Sequence, residues 1–362
     1  MKTLLDHAKQ QLRCLAQACN FSPADIEHAI DVCQVLGASW GNRNLLDTPR
    51  WSSLTDDCSP IEFSISLGDS RPPELRMVSE AQDDPASPEK YWEAGMRLCE
   101  ELSKRYSACL KRLEQVADLF RPSDQVYYSM LHGVVLGPEA TPSFKVYLNP
   151  KAKGGNRTRD VLNAAFEKLG LVDAWLQVVS AMREQDELQA LCLDLESGNQ
   201  GRSKLYVRHW LCTPNDLERA SAVATENVPC DASRFSRAIW GPISVLPRPP
   251  LTMYTLAVGR SAPIHAAVQV PTFPHGGSDA AMRDRVTCLL TRCGLPIDVY
   301  RRCLDALATG PLETEIGIHN YISFQRLNGT PRVTVYLCPR MYLYRLGAIG
   351  LDPKVAWPSP LN

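Results

Sequence analysis

The chain has 362 residues, of which 22% are charged and 44% hydrophobic, and its formal net charge is −1. These proportions are ordinary for a globular protein, and the balanced charge argues against a broad basic surface for nucleic acid or an acidic membrane. The N-terminal residues follow the pattern of an amphipathic helix interrupted by Asp6, His7 and Lys9. They do not resemble a signal peptide, and no stretch approaches the length of a membrane span.

Cysteine usage bears on the compartment. The thirteen cysteines are scattered singly, with no CxxC pair and no Cys/His spacing typical of a zinc site. Most of them are therefore predicted to be small buried apolar residues. Together with the absence of a signal-peptide pattern, this usage leads us to expect a cytoplasmic protein.

The chain opens with two predicted helices, at residues 3–18 and Pro23–Leu36, and the second begins after a capping Ser22. Alternating apolar residues then predict a strand at residues 61–67, and Glu74–Ser79 can pair with it. Helical periodicity returns at residues 89–117, 157–169, 171–183, 215–225, 232–240, 278–291 and 296–309. Further strands are predicted at residues 126–136, Ser143–Leu148, 188–195, 204–207, 251–258, 265–270, 316–325 and 332–337. With the long run at residues 89–117 standing in the place of one helix pair, the order is five times helix, helix, strand, strand.

One strand pattern returns several times along the chain. In the sequence SFKVYLNP, residues 143–150, alternation puts Lys145 and Tyr147 on one face and apolar residues on the other. Lys204 and Tyr206 repeat this pair, and other copies place a cation, an amide or a phenol at the matching position. If every copy points its polar side the same way, one interior gathers Arg76, Lys145, Tyr147, Arg202, Lys204, Tyr206, Gln269 and Tyr336.

Short loops between the paired strands predict antiparallel hairpins. Ten such strands, with helices between the pairs, can close into a barrel with the helices outside, and closure removes the exposed edge strands. We therefore expect an α+β fold in which residues 1–362 form a single domain. The polar strand faces would line the lumen, which suits a polyanion beside an apolar or cationic group.

Five segments in order resemble the dimethylallyltryptophan synthase type of aromatic prenyltransferase, over about residues 51–339. They are residues 53–64 (SLTDDCSPIEFS), Leu75 and Arg76 with Glu80, residues 145–150 (KVYLNP), residues 202–206 (RSKLY), and residues 321–324 (YISF) through 334–336 (TVY). Five ordered matches are far more specific than any one Lys-x-Tyr strand. The resemblance implies the ABBA barrel of that family, with ten antiparallel strands in five ααββ repeats. It also implies transfer of an allylic group from its diphosphate to an aromatic acceptor.

The resemblance assigns roles to single residues. Glu62 would accept a hydrogen bond from the indole N–H and serve as the catalytic base, and Ser53, Leu54 and Tyr321 would contact the acceptor. His132 falls near a position where relatives carry a lysine suspected of moving the final ring proton, which makes it a second catalytic candidate. The donor diphosphate and the allylic cation would be held by Arg76, Lys145, Tyr147, Arg202, Lys204, Tyr206, Gln269, Arg326 and Tyr336.

The expected partners are an allylic diphosphate, dimethylallyl or longer, and a small aromatic acceptor. No cofactor and no metal are predicted: the chain has no DDxxD motif, and Arg and Lys can stabilise the departing diphosphate themselves. Where this chain has Gln269 and Ala267, the family usually has tyrosine and glutamine, so fewer side chains are expected to hold the diphosphate and shield the cation at these positions.

Tryptophan or a tryptophan-derived metabolite is the acceptor that the resemblance favours, and two alternatives stay open at this point. The acceptor can instead be a phenol of the tyrosine or hydroxynaphthalene type, because such relatives use much the same diphosphate residues. The barrel can also be a non-catalytic binder of an isoprenoid diphosphate or an aromatic metabolite. Glu62 argues against this last alternative, because a lone strand glutamate is usually solvated whereas this one follows SLTDDCSP.

Overall fold

The structure is a computed structural model. It describes residues 2–47, 49–50, 52–68, 72–123, 126–197, 202–273 and 275–342. Trp51, at the start of the resemblance, lies outside these residues. None of the described helices combines the length and the apolar character that crossing a bilayer requires.

The start of the second helix follows the capping signals of the sequence. Ser22 Oγ accepts a hydrogen bond from the Asp25 N–H at 3.2 Å, and the Asp25 carboxylate accepts one from the Ser22 N–H at 3.3 Å. This capping box, with Pro23 in the first turn, fixes the start of the second helix. The described α-helices are α1 (Leu4–Ala18), α2 (Pro23–Leu36), α3 (Pro88–Tyr106), α4 (Lys111–Phe120), α5 (Thr158–Leu169), α6 (Val172–Ala181), α7 (Pro214–Ser221), α8 (Asp231–Trp240), α9 (Asp279–Cys293) and α10 (Ile297–Leu307).

The helical run predicted at residues 89–117 is in fact two helices, α3 and α4. Ser107 has a φ of 57° and a ψ of 30°, a left-handed conformation that ends α3. The second helix starts four residues later at Lys111. Both helices keep apolar residues at helical spacing, so periodicity alone did not reveal the break.

The strands form a closed antiparallel barrel, as predicted. The first strand pairs with both the second and the last, so the described sheet closes on itself. The order around the barrel follows the chain, with one ααββ unit after another. The strands are β1 (Ile61–Gly68), β2 (Glu74–Ser79), β3 (Met130–Leu136), β4 (Ser143–Leu148), β5 (Asp186–Asp194), β6 (Ser203–His209), β7 (Leu251–Leu256), β8 (His265–Pro271), β9 (His319–Leu327) and β10 (Thr330–Leu337).

Two strands begin later than predicted because side chains bind the backbone before them. Ahead of β3, the carbonyl oxygen of Tyr128 accepts a hydrogen bond from the Asn149 amide at 2.6 Å. At the start of β9, the Asp279 carboxylate accepts hydrogen bonds from the N–H groups of Ile318 and His319, both at 3.1 Å. These backbone groups are satisfied without a neighbouring strand.

The hydrophobic core lies between the strands and the helices. Outward strand residues such as Phe63, Ile65 and Val146 have no exposed surface, because the helices cover the outside of the barrel. The inner faces of the strands carry many polar residues, so the lumen is lined in large part by polar side chains.

Candidate active site

The lumen contains a cavity of about 340 Å³. Ser64 lies directly opposite Arg76 on one neighbouring strand and Tyr336 on the other, and residues paired in this way share a face of the sheet. All eight residues that the repeated strand predicts in one interior line this cavity: Arg76, Lys145, Tyr147, Arg202, Lys204, Tyr206, Gln269 and Tyr336. Their convergence is confirmed, and their action on a ligand stays a prediction.

Positive charge dominates the wall of this cavity of about 340 Å³, which is the larger of two cavities in the lumen. The lining includes five cations and two carboxylates: Arg76, Lys145, Arg202, Lys204 and Arg332, with Glu74 and Glu196. Burial and the neighbouring charge of Lys145 lower the pKa of Lys204, so this lysine gains a proton more readily once an anion lies beside it. The cavity is therefore suited to a ligand with several negative charges.

A further carboxylate, Asp194, lies behind the cations. Its Oδ1 is 3.7 Å from Lys145 Nζ, and its Oδ2 is 3.4 Å from Arg202 Nε. Asp194 is almost fully buried, and neither of its oxygens has a hydrogen-bond partner among the described residues. Sequence reasoning missed Asp194, which lies directly opposite Lys145 on the neighbouring strand and therefore shares its inner face.

Two pairs of tyrosine rings line the lumen. The ring centroids of Tyr147 and Tyr206 are 5.9 Å apart, and those of Tyr321 and Tyr336 are 6.3 Å apart in an edge-to-face arrangement. Gly133 makes room for the first pair, because a Cβ atom at this position would lie 3.0 Å from the Tyr147 ring. Such rings can face a carbocation and keep water from it.

A second cavity of about 140 Å³ adjoins the first. Its wall includes Glu62 and the three residues predicted to contact an acceptor, Ser53, Leu54 and Tyr321. The remaining lining residues of this cavity alone are Tyr127, Tyr128, Leu131, Gln189, Ala190, Arg208 and Leu251. Both cavities share Val78, Tyr147, Tyr206, Gln269 and Tyr336, so two ligands bound in them would meet at the tyrosines.

Glu62 is the carboxyl group on the wall of the smaller cavity. It is buried, and one oxygen accepts a hydrogen bond from the Asn320 side-chain amide at 2.5 Å. Burial raises the pKa of Glu62 to about 8, against the opposing effect of the Asn320 hydrogen bond. A carboxyl group with this pKa can take up a proton near neutral pH.

His132 does not belong to this site, which corrects its prediction as a catalytic residue. Its side chain points outward from β3, where its Nε2 lies 3.1 Å from the Gly95 carbonyl oxygen and 3.3 Å from Cys99 Sγ, both in α3. Burial lowers the pKa of His132 to about 4, so the ring stays neutral. Alternation along β3 places Gly133, not His132, on the inner face.

Arg326 is also outside the lumen, which corrects its prediction as a donor-binding residue. Its guanidinium hydrogen-bonds the Asp231 carboxylate of α8, on the outer side of the barrel. The arginine near this end of the sequence that does line the larger cavity is Arg332, whose guanidinium lies 3.1 Å from Glu74. Sequence reasoning missed Arg332, although it stands four residues before Tyr336 and alternation therefore gives both the same face.

A closed barrel of ααββ units, in which a cationic cavity meets an aromatic one at paired tyrosines, defines an aromatic prenyltransferase of the ABBA type. Comparison with known proteins agrees. A model of the family described as tryptophan dimethylallyltransferase matches residues 6–304. The chain belongs to the tryptophan dimethylallyltransferase family and is a prenyltransferase enzyme.

Solved structures of similar proteins cover nearly the whole chain. A 6-dimethylallyl tryptophan synthase is 30% identical, with a TM-score of 0.88 over 93% of this chain and 96% of its own. A 6-dimethylallyltryptophan synthase from Micromonospora olivasterospora, in complex with DMASPP and Trp, is 29% identical, with a TM-score of 0.89 over 94% and 99%. A 5-dimethylallyltryptophan synthase from Streptomyces coelicolor is 26% identical, with a TM-score of 0.88 over 94% and 99%.

Proposed function

We propose that this enzyme transfers a dimethylallyl or longer allylic group from its diphosphate to the indole ring of tryptophan or of a tryptophan-derived metabolite. The observation that carries the proposal is the position of Glu62, a buried carboxyl group beside the junction of the cationic and aromatic cavities. The similar synthase solved with DMASPP and Trp supports this pairing of donor and acceptor.

The larger cavity is proposed to bind the donor. Arg76, Lys145, Arg202 and Lys204 bind the diphosphate, with charge-assisted hydrogen bonds worth about 1.5–3 kcal/mol each. The carbon–oxygen bond of the donor breaks, and the leaving diphosphate takes the bonding electrons. The tyrosine rings face the allylic cation and exclude water from it.

The smaller cavity is proposed to bind the acceptor. Glu62 accepts a hydrogen bond from the indole N–H. This hydrogen bond raises the electron density of the indole ring as the ring attacks the allylic cation. A carbon–carbon bond forms, and the reaction releases diphosphate and one proton. Arg208 lines the same cavity and supplies a cation for an acceptor carboxylate.

The proposed function is tested by incubating the protein with a panel of indoles and phenols and with dimethylallyl and geranyl diphosphates. Mass spectrometry of the products is expected to show tryptophan or a related indole carrying one allylic group. Products formed only from phenols would replace the acceptor, and binding of both ligands without any product would support a non-catalytic barrel.

We further propose that the reaction takes place in the cytoplasm and that residues 1–362 act as one domain. All thirteen cysteines are free thiols in the structure, as expected for a reducing compartment. The single closed barrel agrees with one domain, because removing any ααββ unit would open the sheet.

Chelation of metal ions is expected to leave the rate largely intact. The cations of the larger cavity take the role that magnesium has in many prenyl-transferring enzymes, so EDTA removes nothing that the ionisation step needs. The measurement is the initial rate with EDTA, compared with the rate in added magnesium. An EDTA-treated enzyme that recovers its activity only with magnesium would contradict the cationic site.

The pH dependence of acceptor use is expected to follow Glu62. Only its ionised form can act as a base toward the indole N–H, and burial raises the pKa of Glu62 to about 8. The value of kcat/KM for the acceptor should therefore rise with pH up to about 8 and then level off. Saturating donor at each pH keeps Lys204 protonated and isolates the Glu62 effect. A profile that is flat between pH 6 and 9 would argue against Glu62 as the titrating base.

A further inference from the structure

Asn320 makes the hydrogen bond that fixes one oxygen of Glu62. The side-chain nitrogen of Asn320 donates to Glu62 Oε1 at 2.5 Å, and both residues are buried, with 3% and 6% of their surface exposed. A buried amide donor of this kind prefers the ionised carboxylate over the neutral acid. The hydrogen bond occupies one oxygen and leaves the other for a ligand in the smaller cavity.

Asn320 is itself held in place by the start of β9. Its carbonyl oxygen accepts hydrogen bonds from the backbone N–H of Thr272 at 2.9 Å and from the Thr272 hydroxyl at 3.0 Å. The preceding residue, His319, is bound by Asp279 at 2.6 Å and by the Tyr300 hydroxyl at 2.9 Å. The strand segment therefore has little freedom, and the amide of Asn320 points to Glu62 from a rigid support.

The other groups that face Glu62 come from the neighbouring elements. Asp56, in the loop before β1, opposes the charge of Glu62, and Arg248 partly offsets this effect by pairing with Asp56 at 2.9 Å. Tyr321 and Tyr336 approach from β9 and β10. Within the part of the chain that the structure describes, Asn320 is thus the side chain that donates a hydrogen bond directly to the Glu62 carboxylate.

We propose that Asn320 is a positioning residue for the transfer reaction: its amide stabilises the ionised form of Glu62 and turns the side chain so that the second carboxylate oxygen faces the N–H group of the acceptor. The inference rests on the proposed function, in which Glu62 accepts that N–H. It also favours acceptors that offer an N–H or O–H donor at this point, because a fixed carboxylate oxygen is an acceptor only.

The test replaces Asn320 with leucine, which is similar in size and cannot donate. The midpoint of the rising limb of kcat/KM against pH should move upward by about one pH unit, since a hydrogen bond to a charged group is lost. Activity at pH 7 should fall about tenfold and return at alkaline pH, while the Kd for the allylic diphosphate stays unchanged. Asn320→Asp should raise the midpoint as well, because two adjacent carboxyl groups share a proton.

Asn149→Leu is the matched control. It removes another buried amide, which donates to the Tyr128 carbonyl oxygen, and should lower Tm without moving the pH midpoint. In a Glu62→Gln background, Asn320→Leu should have no further effect on the pH profile. An equal loss of activity at every pH, with an unmoved midpoint in both Asn320 variants, would overturn the proposal.

Infrared titration of the free protein provides a readout that needs no turnover. The carboxyl band of Glu62 is identified by its disappearance in Glu62→Gln, and its titration midpoint should be higher in Asn320→Leu than in the original protein. If no acceptor is prenylated but this midpoint moves, the proposed function fails while the Asn320 contact stands. An unmoved band would refute the role of Asn320 even if prenylation is observed.

Discussion

Glu62→Gln is expected to lower turnover by about 10²- to 10⁴-fold, the range typical of a general base, while leaving the donor bound as before. Glutamine keeps the size of the side chain and can still accept the hydrogen bond of Asn320 with its oxygen. The NH₂ group of glutamine would then face the indole N–H, so two donors would meet and the ring would lose its activation.

The measurement is the single-turnover rate at saturating donor and acceptor, with the donor Kd determined by calorimetry. Glu315→Gln is the control, because Glu315 is also a buried glutamate but pairs with Arg340 outside the lumen. It should reduce Tm and leave turnover per folded molecule unaltered. Unchanged turnover in Glu62→Gln would remove Glu62 as the base, and lost donor binding would show that the substitution disturbed the barrel.

Most of the correct structural prediction came from the alternation of inward- and outward-facing side chains along the strands. Lys145 and Tyr147 were assigned to one face because side chains on a strand alternate, and closure of the barrel turned that shared face into a lumen. The closure itself was predictable because the ααββ order repeats and leaves no other way to remove the edges. The eight lumen residues therefore followed from local pattern and topology together.

The positions of His132 and Arg326 were predicted wrongly, because their roles were taken from the family resemblance although the alternation of side chains along their strands places them on the outer face. His132 and Arg326 stand next to inward positions, and a shift of one residue on a strand moves a side chain to the opposite face. Arg332 shares the parity of Tyr336 and lies inside, whereas Arg326 differs in parity from Tyr321 and lies outside. Strict alternation along β9 and β10 is therefore enough to assign both arginines to their correct faces.

Side-chain contacts between segments far apart in the chain could not be predicted from the sequence. Asn320 meets Glu62 across 258 positions of the chain, and nothing in either local pattern indicates the hydrogen bond. Asp194 is similar, because its contact with Lys145 depends on the register of β4 against β5, which alternation does not determine. The break at Ser107 was hidden for a different reason, since a single left-handed residue does not interrupt apolar periodicity.

Removing one lysine of the larger cavity is expected to weaken donor binding by roughly 10- to 150-fold, the effect of losing 1.5–3 kcal/mol of charge-assisted hydrogen bonding. Lys145→Ala should fall at the upper end, because it also leaves the Asp194 carboxylate facing the diphosphate with one less cation. Lys204→Ala should have a smaller effect at high pH, where burial already favours the neutral amine in the empty site. The measurement is the Kd of a non-hydrolysable allylic thiolodiphosphate by calorimetry at several pH values.

Two further variants separate charge from disturbance of the fold. Arg326→Ala removes a cation from the outer side of the same barrel, where it forms a half-buried pair with Asp231. It should leave the donor Kd within about twofold of the original, because Arg326 does not line the larger cavity and its charge is screened from the diphosphate. Asp194→Asn added to Lys145→Ala should recover part of the lost affinity, because it removes the carboxylate that the lysine had neutralised. If Arg326→Ala weakens binding as much as Lys145→Ala does, the donor is not held in the lumen. If the double variant binds no better than Lys145→Ala, Asp194 does not act on the diphosphate through its charge.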